Sequence, residues 1–195
     1  MTLLDERPVS ARRAMIDSQL RVSGVNDPAV LAAMDAVARE DFVPDAIKTS
    51  AYIDRALPLG EGRALAAPLV HGKMLTEAAL QPGEKVLVIS TNGYLAALAE
   101  AIGADVVTLT PAEVTAKKKV GPFAAILVDG AAEALPAAVG AMLAANGRVV
   151  TGLVERGITR LAVGRKSAEG VALLPLAEIG MPVIPEFAAP KGWSF

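Results

Sequence analysis

A chain of 195 residues without cysteine is long enough to bury a hydrophobic core unaided, and it excludes disulfide staples, thiolate zinc sites and cysteine nucleophiles. Apolar residues make up 53% and aromatics only 4%, so the core has to be built from small aliphatic side chains on closely packed elements. A formal net charge of −2 provides no basic face for nucleic acid, and every apolar run is broken well short of the roughly twenty residues that span a bilayer. The expectation is one cytoplasmic domain over 1–195, with 1–80 forming a helical, substrate-side segment and 81–195 the core. The amino terminus lacks the apolar stretch of a signal peptide.

In chain order, Ser10 can cap a helix over 10–20, with Met15, Ile16 and Leu20 on one face and Gly24 beyond its end. Asp27-Pro28 starts a second helix, since Asp accepts from free backbone N–H groups and Pro suits the first helical position. A third helix is expected over 69–80, after Pro68. The segment that organises the chain is Lys85-Val86-Leu87-Val88-Ile89-Ser90-Thr91-Asn92-Gly93-Tyr94, a buried strand running into a turn and then a helix over 94–102 that Gly103 ends. A second strand covers 105–110, and Thr110-Pro111-Ala112-Glu113 has the pattern of a capped helix start. Lys117-Lys118-Lys119 reads as a favourable helix-end charge rather than a phosphate site. Further on come a strand over 123–128, a helix over 132–145 ended by Asn146-Gly147, and a strand over 148–154. An antiparallel hairpin of 159–163 with 171–174 closes the pattern, and the Pro-rich tail has no regular periodicity.

Three stretches carry a resemblance: Ala51-Tyr52-Ile53-Asp54-Arg55-Ala56-Leu57-Pro58-Leu59-Gly60-Glu61-Gly62, the approach Pro82-Gly83-Glu84-Lys85-Val86-Leu87, and Phe123-Ala124-Ala125-Ile126-Leu127-Val128 with Pro136. Together they resemble the protein-L-isoaspartate O-methyltransferase family, from about Gln19 to about Leu161. The resemblance implies a class I S-adenosylmethionine-dependent methyltransferase fold, a Rossmann-like α/β three-layer sandwich with an amino-terminal helical cap. It also implies S-adenosylmethionine as cofactor, and isoaspartyl carboxylates of damaged proteins as methyl acceptors. Between 110 and 123 the chain has room for one short helix where the family fits about one more βα unit, so the sheet is expected to be shortened.

A strand, tight turn and helix at the carboxyl edge of an open sheet present backbone N–H groups and a positive helix end to a nucleotide-like ligand. The cofactor requires donors for its carboxylate, a close glycine turn and an acid for the ribose hydroxyls. Where the family has a multi-glycine loop, this chain has Ser90-Thr91-Asn92-Gly93; Thr110 stands at the ribose-binding Glu, and Val88 replaces an acid within the strand. Losing about two hydrogen bonds to charged groups implies a loss of roughly a hundredfold in affinity. On the acceptor side, the family's Gly-Gln-Thr-Ile-Ser-Gln-Pro is matched by Gly62-Arg63-Ala64-Leu65-Ala66-Ala67-Pro68, which puts Ala66 at the family's serine hydroxyl.

Thr91, Asn92, Gly93 and Asp129 are the expected cofactor-lining residues. No residue qualifies as catalytic, and no metal set is present. Asp129, at the end of a strand, can alternatively cap a helix. His71, the one histidine, reads as packed or solvated, and Tyr52 and Asp54 either line the cleft or fix its loop. The leading expectation is an isoaspartyl methyltransferase homologue with lost or weakened cofactor binding. The alternative is a non-catalytic binding or scaffolding protein, associating with itself, on the same fold; a cleft holding another small nucleotide is a third.

Overall fold

The computed structural model describes residues 6–116, 120–167 and 170–189. The readings of the extreme amino terminus, of the lysine run 117–119 and of the last residues of the tail lie outside the described residues. The first helix, α1 (Glu6–Met15), continues through a π-helical turn, Ile16–Leu20, and a 3-10 turn, Arg21–Ser23, to Gly24 at φ 81°. Ser10 therefore lies inside α1 rather than capping it, because the helix starts ahead of Pro8 in its first turn. Asp27 does cap α2 (Pro28–Ala36), its carboxylate accepting from the N–H groups of Ala29 and Val30. A small hairpin, β1 (Leu57–Gly60) with β2 (Arg63–Leu65), precedes α3 (Pro68–Ala78).

The remaining elements build the sheet. In chain order they are β3 (Lys85–Ile89), α4 (Tyr94–Ile102), β4 (Asp105–Leu109), α5 (Pro111–Thr115), β5 (Phe123–Ala132), α6 (Ala137–Met142), β6 (Leu143–Glu155), β7 (Ile158–Ser167) and β8 (Gly170–Glu178). The sheet order is β4-β3-β5-β6-β7-β8; the first four strands are parallel and the last two antiparallel. Alternate residues of β3 face opposite layers. Val86 and Val88 pack with Leu20, Met34, Leu75 and Leu95 on one side, while Leu87 and Ile89 pack with Val114, Val139 and Phe187 on the other. Helices therefore cover both faces, as a largely parallel sheet requires.

The expected helix over 132–145 is reduced to α6. Ala132 is held in the sheet instead, paired with Leu153, and the N–H groups of Glu133 and Ala134 donate to the Phe187 carbonyl at 3.1 and 3.0 Å; just ahead of them, the Ala131 N–H donates to the Pro182 carbonyl at 2.8 Å. Those strand-like bonds outweigh the helix propensity of an alanine-rich stretch. The following strand also starts earlier than 148, at Leu143, and its register with β5 slips before Arg148. Gly147 sits in that slip, where a Cβ would come within 2.8 Å of the Leu143 side chain and 2.9 Å of the Phe123 carbonyl.

The strand order reverses between β3 and β5, whose carboxyl ends flank the crevice in which open α/β sheets bind ligands. Among the described residues no strand pairs with the outer edge of β4, in agreement with the expected shortening. At the opposite edge, Leu174 and Leu176 of β8 are 65% and 43% exposed.

Candidate functional site

At the end of β5, the Asp129 carboxylate uses both its oxygens within the protein. Oδ1 bonds Nε2 of His71 on α3 at 2.9 Å, and Oδ2 accepts from the Ser90 hydroxyl, at the end of β3, at 2.7 Å. Nη1 of Arg39 reaches Nδ1 of His71 at 3.4 Å. A guanidinium can only donate, so Nδ1 is the acceptor and the imidazole proton sits on Nε2, facing Asp129. Arg39 is itself fully buried; its Nε donates to the Ala51 carbonyl at 2.7 Å, and Nη2 donates to the Ala66 carbonyl. The ring of Tyr94, the first residue of α4, packs 5.2 Å from the His71 ring and 5.0 Å from the Arg39 guanidinium.

Burial alone would raise the Asp129 pKa, yet His71, Ser90 and the Arg39 charge together hold it below the ordinary carboxylate value. Burial pushes Arg39 down from the usual guanidinium range. Arg39, His71, Asp129 and Ser90 form a bonded polar chain linking α3, β3 and β5 to the amino-terminal cap, whereas the buried Tyr94 hydroxyl beside them has no hydrogen-bond partner.

The turn after β3 is engaged in the same manner. The Asn92 amide donates to the Phe42 carbonyl at 2.8 Å, its Oδ1 accepts from the Tyr94 N–H at 3.2 Å, and its own N–H donates to the Ser90 hydroxyl. Gly93 adopts φ 87° immediately before α4, a conformation that only glycine takes readily. Thr110, after β4, closes a capping box with Glu113, so its hydroxyl is turned to α5. Ala66 is buried and its carbonyl is held by Arg39.

The space between these strand ends is a cavity of about 30 Å³ lined by Gly62, Arg63, Ser90, Thr91, Asp129 and the 182–184 stretch, among others. Ligand pockets normally measure about 300–1,000 Å³, so a nucleoside-sized cofactor does not fit the residues as they stand. Of the four residues expected to line a cofactor, Thr91 and Asp129 border this cavity; Asn92 and Gly93 form the turn behind it. Asp129 lies within β5 and caps no helix; its side chain is 7% exposed. Tyr52 fixes the cap, its hydroxyl bonding Arg12 and Glu40, whereas Asp54 lines a separate groove of about 560 Å³. Sequence reasoning missed Arg39, Ser90 as a partner of Asp129, and the Arg63–Glu186 pair, whose members lie 123 positions apart. No local pattern marks such a pair, although a lone His and a strand-end Asp, taken together, could have suggested the first.

A sheet that reverses beside a glycine turn, with helices on both faces, is the Rossmann-like fold of the class I methyltransferases. The chain belongs to the protein-L-isoaspartate O-methyltransferase family: residues 10–113 match the family described as Protein-L-isoaspartate(D-aspartate) O-methyltransferase. It is 36% identical over 165 residues to a protein-L-isoaspartate O-methyltransferase of Methylorubrum extorquens, covering 72% of each chain. To one of Koribacter versatilis it is 34% identical over 183 residues, covering 80% of this chain and 82% of that one. Among solved structures, one described as a Plasmodium falciparum protein-L-isoaspartate O-methyltransferase in complex with S-adenosyl-L-homocysteine superimposes with a TM-score of 0.72 at 20% identity, over 92% of this chain and 98% of that one. A second, titled protein-L-isoaspartate O-methyltransferase, gives 0.73 at 15% identity, over 91% and 67%. These two likenesses establish the shared fold.

Proposed function

We propose that this protein is a divergent isoaspartyl methyltransferase homologue, its acceptor class the isoaspartyl carboxylates of damaged proteins, in which S-adenosylmethionine binding, and with it the methyl transfer, is lost or greatly weakened. The observation that carries this reading is the crevice at the ends of β3 and β5. Its volume is about 30 Å³, an order of magnitude below a cofactor pocket. Asp129, which borders the crevice, and Asn92 and Thr110, in the turns after β3 and β4, already bond within the chain. Calorimetric titration with S-adenosylhomocysteine tests it: no heat of binding is expected up to millimolar ligand, and micromolar affinity would overturn the reading. Methylation of an isoaspartyl peptide, assayed in parallel, is expected at background.

A second reading, a non-catalytic scaffold that associates with itself, is favoured by one observation: the exposure of Leu174 and Leu176 on the edge strand β8. Exposed apolar surface on an edge is commonly covered by a partner. Light scattering at low micromolar concentration decides it, a strict monomer counting against self-association. Cytoplasmic location belongs to the same reading and is tested by cell fractionation.

A further inference from the structure

We propose that Arg63 reads the carboxylate of an acidic peptide side chain, a role for which the protein's own Glu186 now stands in; the inference rests on the acceptor-side reading above. Arg63 lies on β2 and makes a two-pronged pair with Glu186, in the 3-10 turn Pro185–Phe187: Nη1 donates to Oε2 at 2.9 Å, and Nη2 donates to Oε1. The fork geometry of a guanidinium fits any carboxylate equally well. With the two side chains 30% and 22% exposed, the pair is accessible enough to exchange one carboxylate for another.

Position supports this exchange. Arg63 borders the small cavity at the sheet edge, and that cavity shares Ala64 and Pro182 with the larger groove. The groove is walled by apolar residues such as Leu69, Ile179 and Met181, and it is large enough for several residues of an extended peptide. A peptide lying along it comes to Arg63 past the shared wall of Ala64 and Pro182. Glu186 is the template for that arrangement, a carboxylate presented to Arg63 by a single 3-10 turn of this chain. The other carboxylate bordering the cavity, Asp129, already holds His71 and Ser90. Arg63 is the cation bordering the small cavity, while Arg55, beside Asp54, lines the groove itself; Arg63 occupies the position where the resembling family has a neutral Gln.

Because Glu186 is tethered, it competes as an internal ligand at high effective concentration. Removing its charge relieves that competition, and the apparent affinity for an external carboxylate rises by the reciprocal of the free fraction of Arg63. The test is fluorescence anisotropy with a labelled isoaspartyl peptide, its Asp form and its Asn form, on the full chain. E186Q is expected to bind the isoaspartyl peptide about tenfold more tightly than the unaltered protein. R63M and the R63M/E186Q pair should lose that binding, and the Asn form should not respond to any of the changes.

No gain in E186Q, with its melting transition intact, would overturn the proposal, as would a gain that persists in the double variant. Should E186Q fail to fold, R63K provides the decision: it keeps the charge without the fork and is expected to bind the isoaspartyl peptide several-fold more weakly, unchanged binding counting against the role. S-adenosylhomocysteine, which carries a carboxylate of its own, is titrated alongside; a gain for it and none for the peptide overturns the assignment to a peptide. Tight binding of S-adenosylhomocysteine by the unaltered protein bears on the cofactor reading alone, because the ratio of peptide affinities is measured without it.

Discussion

His71 and Asp129 lie 58 positions apart in sequence and meet at 2.9 Å, the imidazole donating from Nε2 to a carboxylate inside the protein. Behind His71, the fully buried Arg39 supplies the balancing charge. Charge is tolerated at this depth only because every member of the chain has a partner.

Asp129→Asn should therefore be among the more damaging single changes. It leaves the Arg39 guanidinium buried without the Asp129 charge that favours it, a defect of about 3 kcal/mol, or a fall of roughly 10 °C in melting temperature for a chain of this size. Thermal unfolding followed by circular dichroism measures it; a loss under about 1 kcal/mol would show that the pair carries little.

The same carboxylate sets an acid limit. Its folded pKa lies below the ordinary 3.8, so on acidification the unfolded chain takes up the proton first. The stabilisation is complete above that value and disappears as the pH falls from it through the folded pKa. Melting temperatures of the unaltered protein should fall steeply below about pH 4, and those of the D129N variant less so. Parallel curves for the two would remove Asp129 from the account.

Thr110 is a test of cap against cofactor. Thr110→Ala should cost about 1 kcal/mol through loss of the capping box. Thr110→Glu restores an acid at the end of β4, yet binding of S-adenosylhomocysteine should stay undetectable by calorimetry, because the crevice is still closed. Binding by this variant, with none by the unaltered protein, would mean that the acid at the end of β4 and not the size of the crevice governs cofactor affinity.

Gly130 holds the 182–184 stretch against β5. A Cβ there would stand 2.7 Å from Cγ1 of Ile184 and 2.9 Å from the Pro182 carbonyl, at a φ of 148°. Gly130→Ala should destabilise the protein by about 2 kcal/mol and open the 179–189 stretch to protease before the rest of the chain. Uniform cleavage kinetics would contradict this.

Much of the fold was legible because local chemistry agreed with the tertiary result. The β-branched run of β3, the Asp27-Pro28 start, the Gly103 stop and the Thr110–Glu113 box all form where their residues suggest. What misled was alanine. The 132–145 stretch has high helix propensity, but Ala132 is paired with Leu153 in the sheet and the N–H groups of Glu133 and Ala134 donate to the Phe187 carbonyl, a contact about fifty positions away that no local pattern contains. The site was half legible for a similar reason: Asp129 and Thr91 could be placed at strand ends from periodicity, whereas Arg39, Arg63 and Glu186 acquire their roles only when distant segments meet.

The two-sided packing of the sheet sets an order of motion as well. Backbone amides of β3 and β5 lie between paired strands and under helices on both faces, so they should exchange with solvent only through global unfolding. The hairpin that carries Arg63 is a two-stranded ribbon and Glu186 sits in a single 3-10 turn, each anchored to the core by few side chains, Leu57 and Leu65 in the one and Phe187 in the other. Small peripheral units of this kind open at far lower free energy than the strands beneath them. The partly exposed Arg63 and Glu186 side chains can separate and re-pair by rotamer motion while their backbones stay anchored and the Asp129 end of β5 stays in place.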